Sequence, residues 1–498
     1  MARRMSSFVQ KYAWGKPGDQ SVVATLKAAG DTSYKVDVDQ PYAEMWIGTH
    51  PSGPSNLLTN SGNMGPLLKD HLASEPEALG DIAHKGDLPF LFKVISINKA
   101  LSIQAHPNKK LAEKLHAERP EIYADDNHKP EMAVTLSDFE ALCGFRPFQE
   151  IIWNLHFYPE LRALVSLDAV HQQVMTAGED VERQKFALRE LFRSYNNADK
   201  DTVKTQIDRL VKRLDWASGA PSPEGREAGM FHEETNADDG DQENEEELQK
   251  TQFAEEMFEA RFRRGSTTSE ALDQRQGMKK ESPDVVRVML RLSTEYPGDL
   301  GILMPLVLNL LMLKTGQAFF MTVDEPHAYL RGDILECMAC SNNVVRCALT
   351  PKFRDVDLLV DMLSYNMGAP AVLRPHIVDD NRKRFTPPVD VFEIESIHVD
   401  ANEAYRLDPM PVPAVLVTLH GAQGGLLIDE DTGKENHFPL GQIEKGRKSL
   451  FLSTLRLGDV CPRGVDKTAG APTRIGKHGP NRLPEDKLEG ELWQRVGC

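Results

Sequence analysis

The sequence predicts a mainly β protein that is interrupted by an α-helical insertion. Residues 88–147 and 317–353 contain short runs rich in Val, Ile, Leu and Phe that are separated by turn residues, a pattern typical of short strands. Between these stretches, from about Phe148 to Tyr296, leucines recur at helical intervals and strand signals are scarce. Short strands separated by turns, occurring twice along a chain, favour barrels or jelly rolls.

We expect five segments along the chain. They are the first part of a β domain at 1–150, a helical domain at 151–298, the second part of the β domain at 299–388, a second β domain at 389–460 and a flexible tail at 461–498. Within the helical domain, residues 217–282 are rich in Gly, Pro and Ser and contain an acidic run. Because few large apolar residues occur there, little surface can be buried, and we expect a disordered loop.

The longest apolar run extends from Gly301 to Leu313 and is interrupted by Pro305 and Asn309. This run is too short to span a bilayer. We therefore expect a buried helix at this position.

Composition indicates which partners to expect. The net charge is −17, to which the stretch from Glu233 to Glu247 contributes nine acidic and no basic residues. Such a charge argues against nucleic acid as the main partner, because phosphate backbones are bound by basic patches. The N-terminal residues lack the apolar core of a secretory signal, and we expect no membrane partner. The oligomeric state stays open, with a monomer favoured.

The six cysteines form no regular disulfide framework, which favours a reducing, cytoplasmic location. Cys337 and Cys340 have the C-x-x-C spacing of some zinc sites, but no second pair accompanies them. We therefore interpret them as packing residues.

Two candidate metal ligands, Gln104 and His106, follow the apolar run from Phe90 to Ile103. On a β-strand, residues two apart lie on the same face, so both side chains would point in one direction. Taken alone, this pair is more often an ordinary pair of hydrogen-bonded polar residues, because short motifs match by chance.

Two further candidates lie on other predicted strands. Pro130 has no N–H and cannot lie inside a strand ladder, so Glu131 is expected to open a strand. His327 stands directly after Pro326 at another strand start. Together with Gln104 and His106, these residues offer two imidazoles, a carboxylate and an amide oxygen, a set that suits a divalent metal.

Several sequence blocks resemble the signature blocks of type I phosphomannose isomerase, in the same order. They are YAWGK, YAEMWIGTHPSGPS, SIQAHP, DDNHKPEM, FEALCGFRP, EPHAYLRGDILECMA and NNVVRCALTPKF. The resemblance covers most of residues 1–365. It implies a zinc-dependent aldose–ketose isomerase with a central cupin (jelly-roll) domain, an inserted helical domain and a C-terminal cupin-like domain.

The resemblance also implies roles for individual residues. The ligands of one zinc ion per chain would be Gln104, His106, Glu131 and His327, and Arg346 matches the essential active-site arginine. The same pocket would be lined by Ser102, Lys93, Lys110, Lys129, Glu44, Tyr329, Glu336 and Lys352.

The implied reaction interconverts mannose 6-phosphate and fructose 6-phosphate by proton transfer through an enediol. It would supply mannose for GDP-mannose synthesis, glycosylation and cell-wall polymers. Arg346 suits stabilisation of the developing negative charge. Ser102 and Lys352 are the leading candidates for the phosphate. Glu336 and a metal-held water are both plausible carriers of the proton.

The sequence departs from the family pattern at three places. The segment from Ala217 to Ser282 is longer than the family's usual connection. The chain has Ser341-Asn342-Asn343 where the family commonly has Ser-Asp-Asn, so a carboxylate near Arg346 is missing. The resemblance fades beyond about Leu440, where residues Leu450 to Leu455 are expected to form the closing strand of the second barrel.

Two other functions are compatible with the ligand set. A non-catalytic, sugar-phosphate-binding relative could retain zinc for structure, although the presence of all four ligands together with Arg346 argues against it. A cupin oxygenase could hold iron with two histidines and a glutamate, but the glutamine and the many lysines favour zinc and phosphate.

Overall fold

An eleven-stranded sheet system forms the centre of the protein. The computed structural model describes residues 3–31, 33–59, 61–165, 177–218, 282–370, 372–399, 405, 412–419, 425–429, 434–438 and 448–454. All of them lie in one compact unit, Met1–Leu457.

Strands occupy both ends of the described chain. They are β1 Met5–Ser6, β2 Phe8–Gln10, β3 Lys16–Pro17, β4 Pro41–Tyr42, β5 Glu44–Ile47, β6 Asn56–Leu58, β7 Met64–Leu67, β8 Phe90–Ile97, β9 Ile103–Ala105, β10 Glu131–Thr135, β11 Phe139–Phe145, β12 Leu308–Leu313, β13 Ala318–Met321, β14 His327–Ala339, β15 Val345–Ala348, β16 Val372–Leu373, β17 His376–Ile377, β18 Arg382–Phe385, β19 Glu393–Val399, β20 Ala414–Thr418, β21 Gly425–Asp429, β22 Lys434–Phe438 and β23 Lys448–Thr454. As predicted, Glu131 and His327 each open a strand.

Helices are concentrated between β11 and β12. They are Val22–Gly30, Leu68–Ser74, Lys109–Glu118, Phe148–Phe157, Pro159–Arg162, Val181–Asn197, Lys200–Ser218, Pro283–Glu295 and Val356–Met362, with short 3-10 segments at Gly18–Gln20, Pro76–Lys85, Leu300–Ile302 and Met304–Leu306. The insertion is helical because its apolar residues share one face: Leu188, Leu191, Phe192 and Tyr195 follow a helical period and are buried.

Strand β14 is 13 residues long and joins the two halves of the sheet system. From Gly332 onward it pairs with β8, and from Ile334 it also pairs with β10. Its first residues pair instead with β11 and, at His327, with β9. The strand changes neighbours at Gly332, where the backbone has a φ of +117°.

The central strands are covered on both faces. The side chains of Phe90, Phe92 and Val94 belong to one buried apolar cluster with residues of the C-terminal sheet, among them Ile394 and Val415. The alternate residue Ile95 packs on the opposite side with a second cluster that includes Ala133, Phe139, Phe319 and Tyr329. All eight residues of β8 are buried for this reason, which explains why six of them are apolar; the exceptions are Lys93 and Ser96.

The predicted helix at Gly301 to Leu313 is wrong. This run forms two 3-10 turns followed by strand β12, which pairs with β11. A short apolar run is compatible with a buried strand as well as with a helix. Here the pairing with β11 determines that the run forms a strand. The Asn309 amide donates to the carbonyl oxygens of Cys143, Gly144 and Phe145, which holds the run against β11.

The C-terminal part contains a five-stranded sheet in the order β17-β18-β19-β23-β20 and a separate β21–β22 pair. Strand β23 confirms the predicted strand near Leu450 to Leu455. Closure of a second barrel is not confirmed, and the domain boundaries stay a prediction. The predicted disordered loop at 217–282, apart from its first two residues and its last, and the predicted tail at 461–498 lie outside the described residues.

Within the described part of the chain, no helix combines the length and the apolar character needed to cross a bilayer.

We predict that Gly332→Ala destabilises the protein strongly. A Cβ atom at this position would lie 2.6 Å from the carbonyl oxygen of Asp138 and 2.7 Å from Cδ2 of Phe139. Both neighbours are packed, and a positive φ disfavours any Cβ. We expect a loss of about 2–4 kcal/mol in the free energy of unfolding, measured by urea denaturation.

Gly316→Ala is the matched control. Gly316 also has a positive φ, +83°, but an added Cβ would meet no atom within 4 Å. This variant should therefore lose only about 1 kcal/mol. Equal losses in the two variants would contradict a steric requirement at Gly332.

Candidate metal centre

Three buried side chains from separate parts of the sequence converge on one point. His106 follows β9, Glu131 opens β10 and His327 opens β14. Nε2 of His106 lies 3.4 Å from Oε1 of Glu131, and Nε2 of His327 lies 3.2 Å from its Oε2. Potential ligand atoms of all three residues lie within 4.8 Å of one another.

Both imidazoles are oriented by main-chain carbonyl groups. Nδ1 of His106 lies 2.7 Å from the carbonyl oxygen of Asn343, and Nδ1 of His327 lies 3.1 Å from that of Glu325. A proton on each Nδ1 leaves each Nε2 as a lone-pair donor, as in metal-binding histidines. Both Nε2 atoms are buried and make no hydrogen bond with any described residue. Buried polar atoms rarely lack a partner, so this geometry fits a bound divalent cation.

Gln104 lies beside this group on β9. It stands directly opposite His327 on β14 and opposite Arg346 on β15. Residues directly opposite each other in antiparallel strands point to the same face. The Oγ atom of Ser102 donates to Oε1 of Gln104 at 3.3 Å. The sheet therefore brings three of the four predicted ligands into contact range and places Gln104 on the neighbouring strand.

The charge of Glu131 is compensated by a neighbouring ammonium group. Nζ of Lys129 lies 2.9 Å from Oε1 of Glu131. Burial alone would raise the pKa of Glu131, but Lys129 and His106 outweigh it and hold that pKa well below its ordinary value. Burial, reinforced by Lys129, lowers the pKa of His106 to about 4. The centre therefore offers a carboxylate and a neutral imidazole, the forms that bind metals.

A second buried charged group contains four of the predicted pocket residues. Nζ of Lys93 lies 2.9 Å from Oε2 of Glu336 and 3.8 Å from Oε2 of Glu44. The Tyr329 hydroxyl donates to Oε1 of Glu336 at 2.6 Å. The sheet register explains the grouping, since Lys93 stands opposite Glu336 on one side and opposite Trp46 on the other. The Trp46 indole donates to Glu44.

These contacts shift the pKa values of the group. Burial would lower the pKa of Lys93, but Glu336 and Glu44 outweigh it and raise that pKa. Burial raises the pKa of Glu336 above its ordinary value despite the nearby Lys93. Burial and the Glu336 charge raise the pKa of Tyr329 well above its ordinary value. Glu336 is therefore a carboxyl group whose proton affinity is increased by its surroundings.

Arg346 lies half-buried on β15, next to Gln104. Its side chain makes no hydrogen bond or ion pair with any described residue, and burial lowers its pKa. A guanidinium that lacks an anionic neighbour can bind an anionic ligand through its planar fork.

The remaining predicted pocket residues lie further out. Ser102 is half-buried, whereas Lys110 and Lys352 are exposed. Lys110 is the second residue of the helix Lys109–Glu118, and Lys352 follows β15. Within the described chain, neither lysine side chain contacts the two buried charged groups, so their roles stay a prediction.

Asn342, where the family commonly has a carboxylate, is exposed. Its backbone N–H donates to Oδ2 of Asp125 at 2.7 Å. Oδ1 of the same carboxylate accepts a hydrogen bond from the Ser341 hydroxyl at 2.7 Å, and the Asp125 carbonyl accepts one from Nδ2 of Asn343 at 2.7 Å. Asp125 thus fixes the loop whose carbonyl orients His106. The sequence signal for this role was the position of Asp125 in the DDNHKPEM block. The role itself could not be predicted, because these hydrogen-bond partners of Asp125 lie more than 200 residues away in the sequence.

Comparisons with known proteins agree with this geometry. A family model described as phosphomannose isomerase type I, catalytic domain, matches residues 2–148. Mannose-6-phosphate isomerase from Mus musculus is 36% identical over 428 residues, which cover 84% of this chain and 87% of the relative. Mannose-6-phosphate isomerase 1 from Arabidopsis thaliana is 36% identical, with 84% of each chain covered.

Solved structures show the same fold at lower identity. The apo form of mannose 6-phosphate isomerase from Salmonella typhimurium is 23% identical, with a TM-score of 0.56 and coverage of 92% of this chain and 100% of that one. A mannose 6-phosphate isomerase bound with zinc and yttrium is 23% identical, with a TM-score of 0.55 and coverage of 91% and 99%. These neighbours support the predicted cupin-type fold.

We predict that Lys93→Met destabilises the protein in a pH-dependent manner. The change leaves the buried carboxylates of Glu336 and Glu44 without their ammonium partner, and the already raised pKa of Glu336 rises further. A carboxyl group whose pKa is higher in the folded state takes up a proton on folding, so the free energy of unfolding increases as pH falls. We expect urea denaturation to show a loss of about 3–5 kcal/mol near pH 8 and a smaller loss near pH 5.5.

Lys16→Met is the control for this measurement. Lys16 lies 2.7 Å from Oδ2 of Asp333, but both side chains are more exposed than those of Lys93 and Glu336. We expect a loss of about 1 kcal/mol or less. An equal loss from Lys93→Met at both pH values would contradict the role assigned to Glu336.

Proposed function

The chain belongs to the type I phosphomannose isomerase (mannose-6-phosphate isomerase) family, and we propose that it interconverts mannose 6-phosphate and fructose 6-phosphate with one zinc ion per chain. The observation that carries the proposal is the buried group of His106, Glu131 and His327 beside Arg346, whose side chain has no hydrogen-bond or ion-pair partner in the described part of the chain. Two buried Nε2 atoms that have no hydrogen-bond partner among the described residues suit a cation, and a half-buried guanidinium suits an anionic sugar. The reaction would supply mannose for GDP-mannose synthesis and glycosylation.

The zinc ligands in this proposal are His106, Glu131, His327 and Gln104. Two imidazoles, one carboxylate and one amide oxygen suit zinc and leave room for a substrate oxygen. A bound divalent cation would supply Lewis-acid stabilisation of negative charge that develops on the sugar oxygens. Zinc is proposed over iron because a structural neighbour is described as bound with zinc.

The catalytic residues in this proposal are Glu336 and Arg346. Isomerisation moves a proton between C2 and C1 of the open-chain sugar and passes through an enediol. Glu336 is the proposed carrier of this proton, because burial raises its pKa toward the range in which a carboxyl group both accepts and releases a proton. Lys93 and Tyr329 hold its two oxygens in place. The Arg346 guanidinium is proposed to stabilise the negative charge of the enediolate.

The phosphate group is proposed to bind at the outer edge of the site. A dianionic phosphate is bound by hydroxyl and cationic donors. The Ser102 hydroxyl donates to Oε1 of Gln104 at 3.3 Å, and Lys352 follows the strand that carries Arg346. Lys110 lies in the first turn of a helix, where backbone N–H groups also favour an anion. Lys129 is assigned to the inner part of the site because it contacts Glu131.

The test is the production of fructose 6-phosphate from mannose 6-phosphate, followed in a coupled assay with the intact protein and with Arg346→Lys. The variant keeps the charge but loses the planar fork. We expect kcat to fall roughly 100- to 1,000-fold. KM should change less, because the contact strengthens mainly in the transition state. Zinc content and the melting temperature should stay near those of the intact protein, because a guanidinium binds no metal.

Arg331→Lys is the matched control, since Arg331 is an exposed arginine on β14. It should leave kcat and KM unchanged. A much higher KM with unchanged kcat in Arg346→Lys would make Arg346 a phosphate contact. Activity of the intact protein that survives complete removal of metal by a chelator would refute the metal-dependent reaction, and no activity at all would favour the non-catalytic relative.

A further inference from the structure

A two-residue turn, Asp324–Glu325, contacts both proposed histidine ligands through main-chain atoms. The N–H of Asp324 donates to the carbonyl oxygen of His106 at 2.8 Å. The carbonyl oxygen of Glu325 lies 3.1 Å from Nδ1 of His327. The turn directly precedes Pro326 and β14. Its position therefore influences where both imidazoles lie.

The carboxylate of Asp324 binds the backbone and the side chain of Asn108, two residues after His106. It accepts hydrogen bonds from the backbone N–H of Asn108 at 3.1 Å and from Nδ2 of Asn108 at 2.7 Å. Oδ1 of Asn108 accepts in turn from the N–H of Leu111 at 3.1 Å and caps the helix Lys109–Glu118. Asp324 thus holds this segment at two points, at His106 through its backbone and at Asn108 through its side chain.

Asp324 has a backbone conformation that is unfavourable for most residues. Its φ is +59°, in the left-handed region, which aspartate visits more readily than larger side chains. The turn is also held from its other side, because the Ser364 N–H donates to the carbonyl oxygen of Asp324 at 2.9 Å and Nδ2 of Asn366 donates to the Glu325 carboxylate at 3.0 Å. Such a conformation persists only where the surrounding contacts determine it.

We propose that Asp324 is a positioning residue of the metal centre, which fixes His106 relative to His327 through its hydrogen bonds to Asn108. The inference rests on the proposed function, since the metal site is the one proposed there. Asp324 itself contacts no metal ligand side chain; it acts on the backbone that carries His106. Loss of a group that orients metal ligands typically weakens metal binding by roughly 10- to 100-fold. We expect a loss near the lower end of that range, about 10-fold, because the effect passes through the main chain.

Three variants separate the possible reasons for an effect. Asp324→Asn keeps the size of the side chain but replaces one acceptor oxygen by an NH2 group. Because Asn108 offers two donors, its backbone N–H and its Nδ2, one of the two hydrogen bonds is lost. Asp324→Gly removes the carboxylate and relieves the strain of the positive φ. The double variant D324N/N108D moves the carboxylate to the other side of the contact, and aspartate at position 108 still caps the helix.

The readout is the zinc dissociation constant of the full-length, metal-free protein, measured by competition with a chelating dye. The visible absorption spectrum of the cobalt(II)-loaded protein reports the ligand geometry independently of activity. We expect zinc affinity to fall about 10-fold in both single variants, with an altered cobalt spectrum, and to recover in the double variant.

Asp355→Asn is the matched control. The Asp355 carboxylate accepts a hydrogen bond from Arg119, at the other end of the helix Lys109–Glu118. Asparagine still caps the helix Val356–Met362, which leads to Ser364 on the far side of the turn. This variant therefore weakens the contact with Arg119 at the end of the helix Lys109–Glu118, and zinc affinity should stay unchanged. The proposal is overturned if Asp324→Asn weakens zinc binding no more than Asp355→Asn does, or if Asp324→Gly binds zinc as tightly as the intact protein. An intact protein that binds no zinc would overturn the metal site itself and this inference with it.

Discussion

A carboxylate buried between two imidazoles is the constraint on which the rest of this structure depends. Glu131 is almost fully enclosed, and removing a carboxylate from water costs several kcal/mol unless positive charge compensates for it. Lys129 supplies one such charge at 2.9 Å. The Nε2 atoms of His106 and His327 face the same carboxylate at 3.4 and 3.2 Å and have no hydrogen-bond partner where the structure describes the chain, a geometry that fits a cation. The fold must therefore keep three strand ends together at this point.

The architecture meets this requirement by covering the central strands on both faces. The C-terminal sheet packs on one side of β8, and an apolar cluster that includes Phe139 and Tyr329 packs on the other. Strand β14 links the group around Glu131 to the buried Lys93–Glu336 pair. It begins at His327 and continues past Gly332, where φ is positive, to Glu336. One strand thus carries a proposed metal ligand, His327, and the proposed proton carrier, Glu336. In so dry an environment, fixed charges act on a reacting sugar more strongly than they would in water.

The sequence was informative where a local rule applied. Pro130 and Pro326 lack an N–H, and the strand starts at Glu131 and His327 were predicted correctly from them. The run from Gly301 to Leu313 was misjudged because pairing with a distant strand, rather than local periodicity, makes it a strand. The roles of Asp125 and Asp324 were also missed, because their hydrogen-bond partners are remote in the sequence and no spacing rule connects them. The family resemblance named four proposed ligands, but only the fold shows why three of them, His106, Glu131 and His327, meet.

Anomalous X-ray diffraction at the zinc absorption edge tests the metal site most directly. Crystals would be grown from protein purified without added metal. The account predicts one zinc peak per chain, at about 2.0–2.2 Å from Nε2 of His106, Nε2 of His327 and a carboxylate oxygen of Glu131. A strong peak at the iron edge in its place would contradict the assignment of zinc. The absence of any peak, with both Nε2 atoms hydrogen-bonded to water, would contradict the metal centre itself.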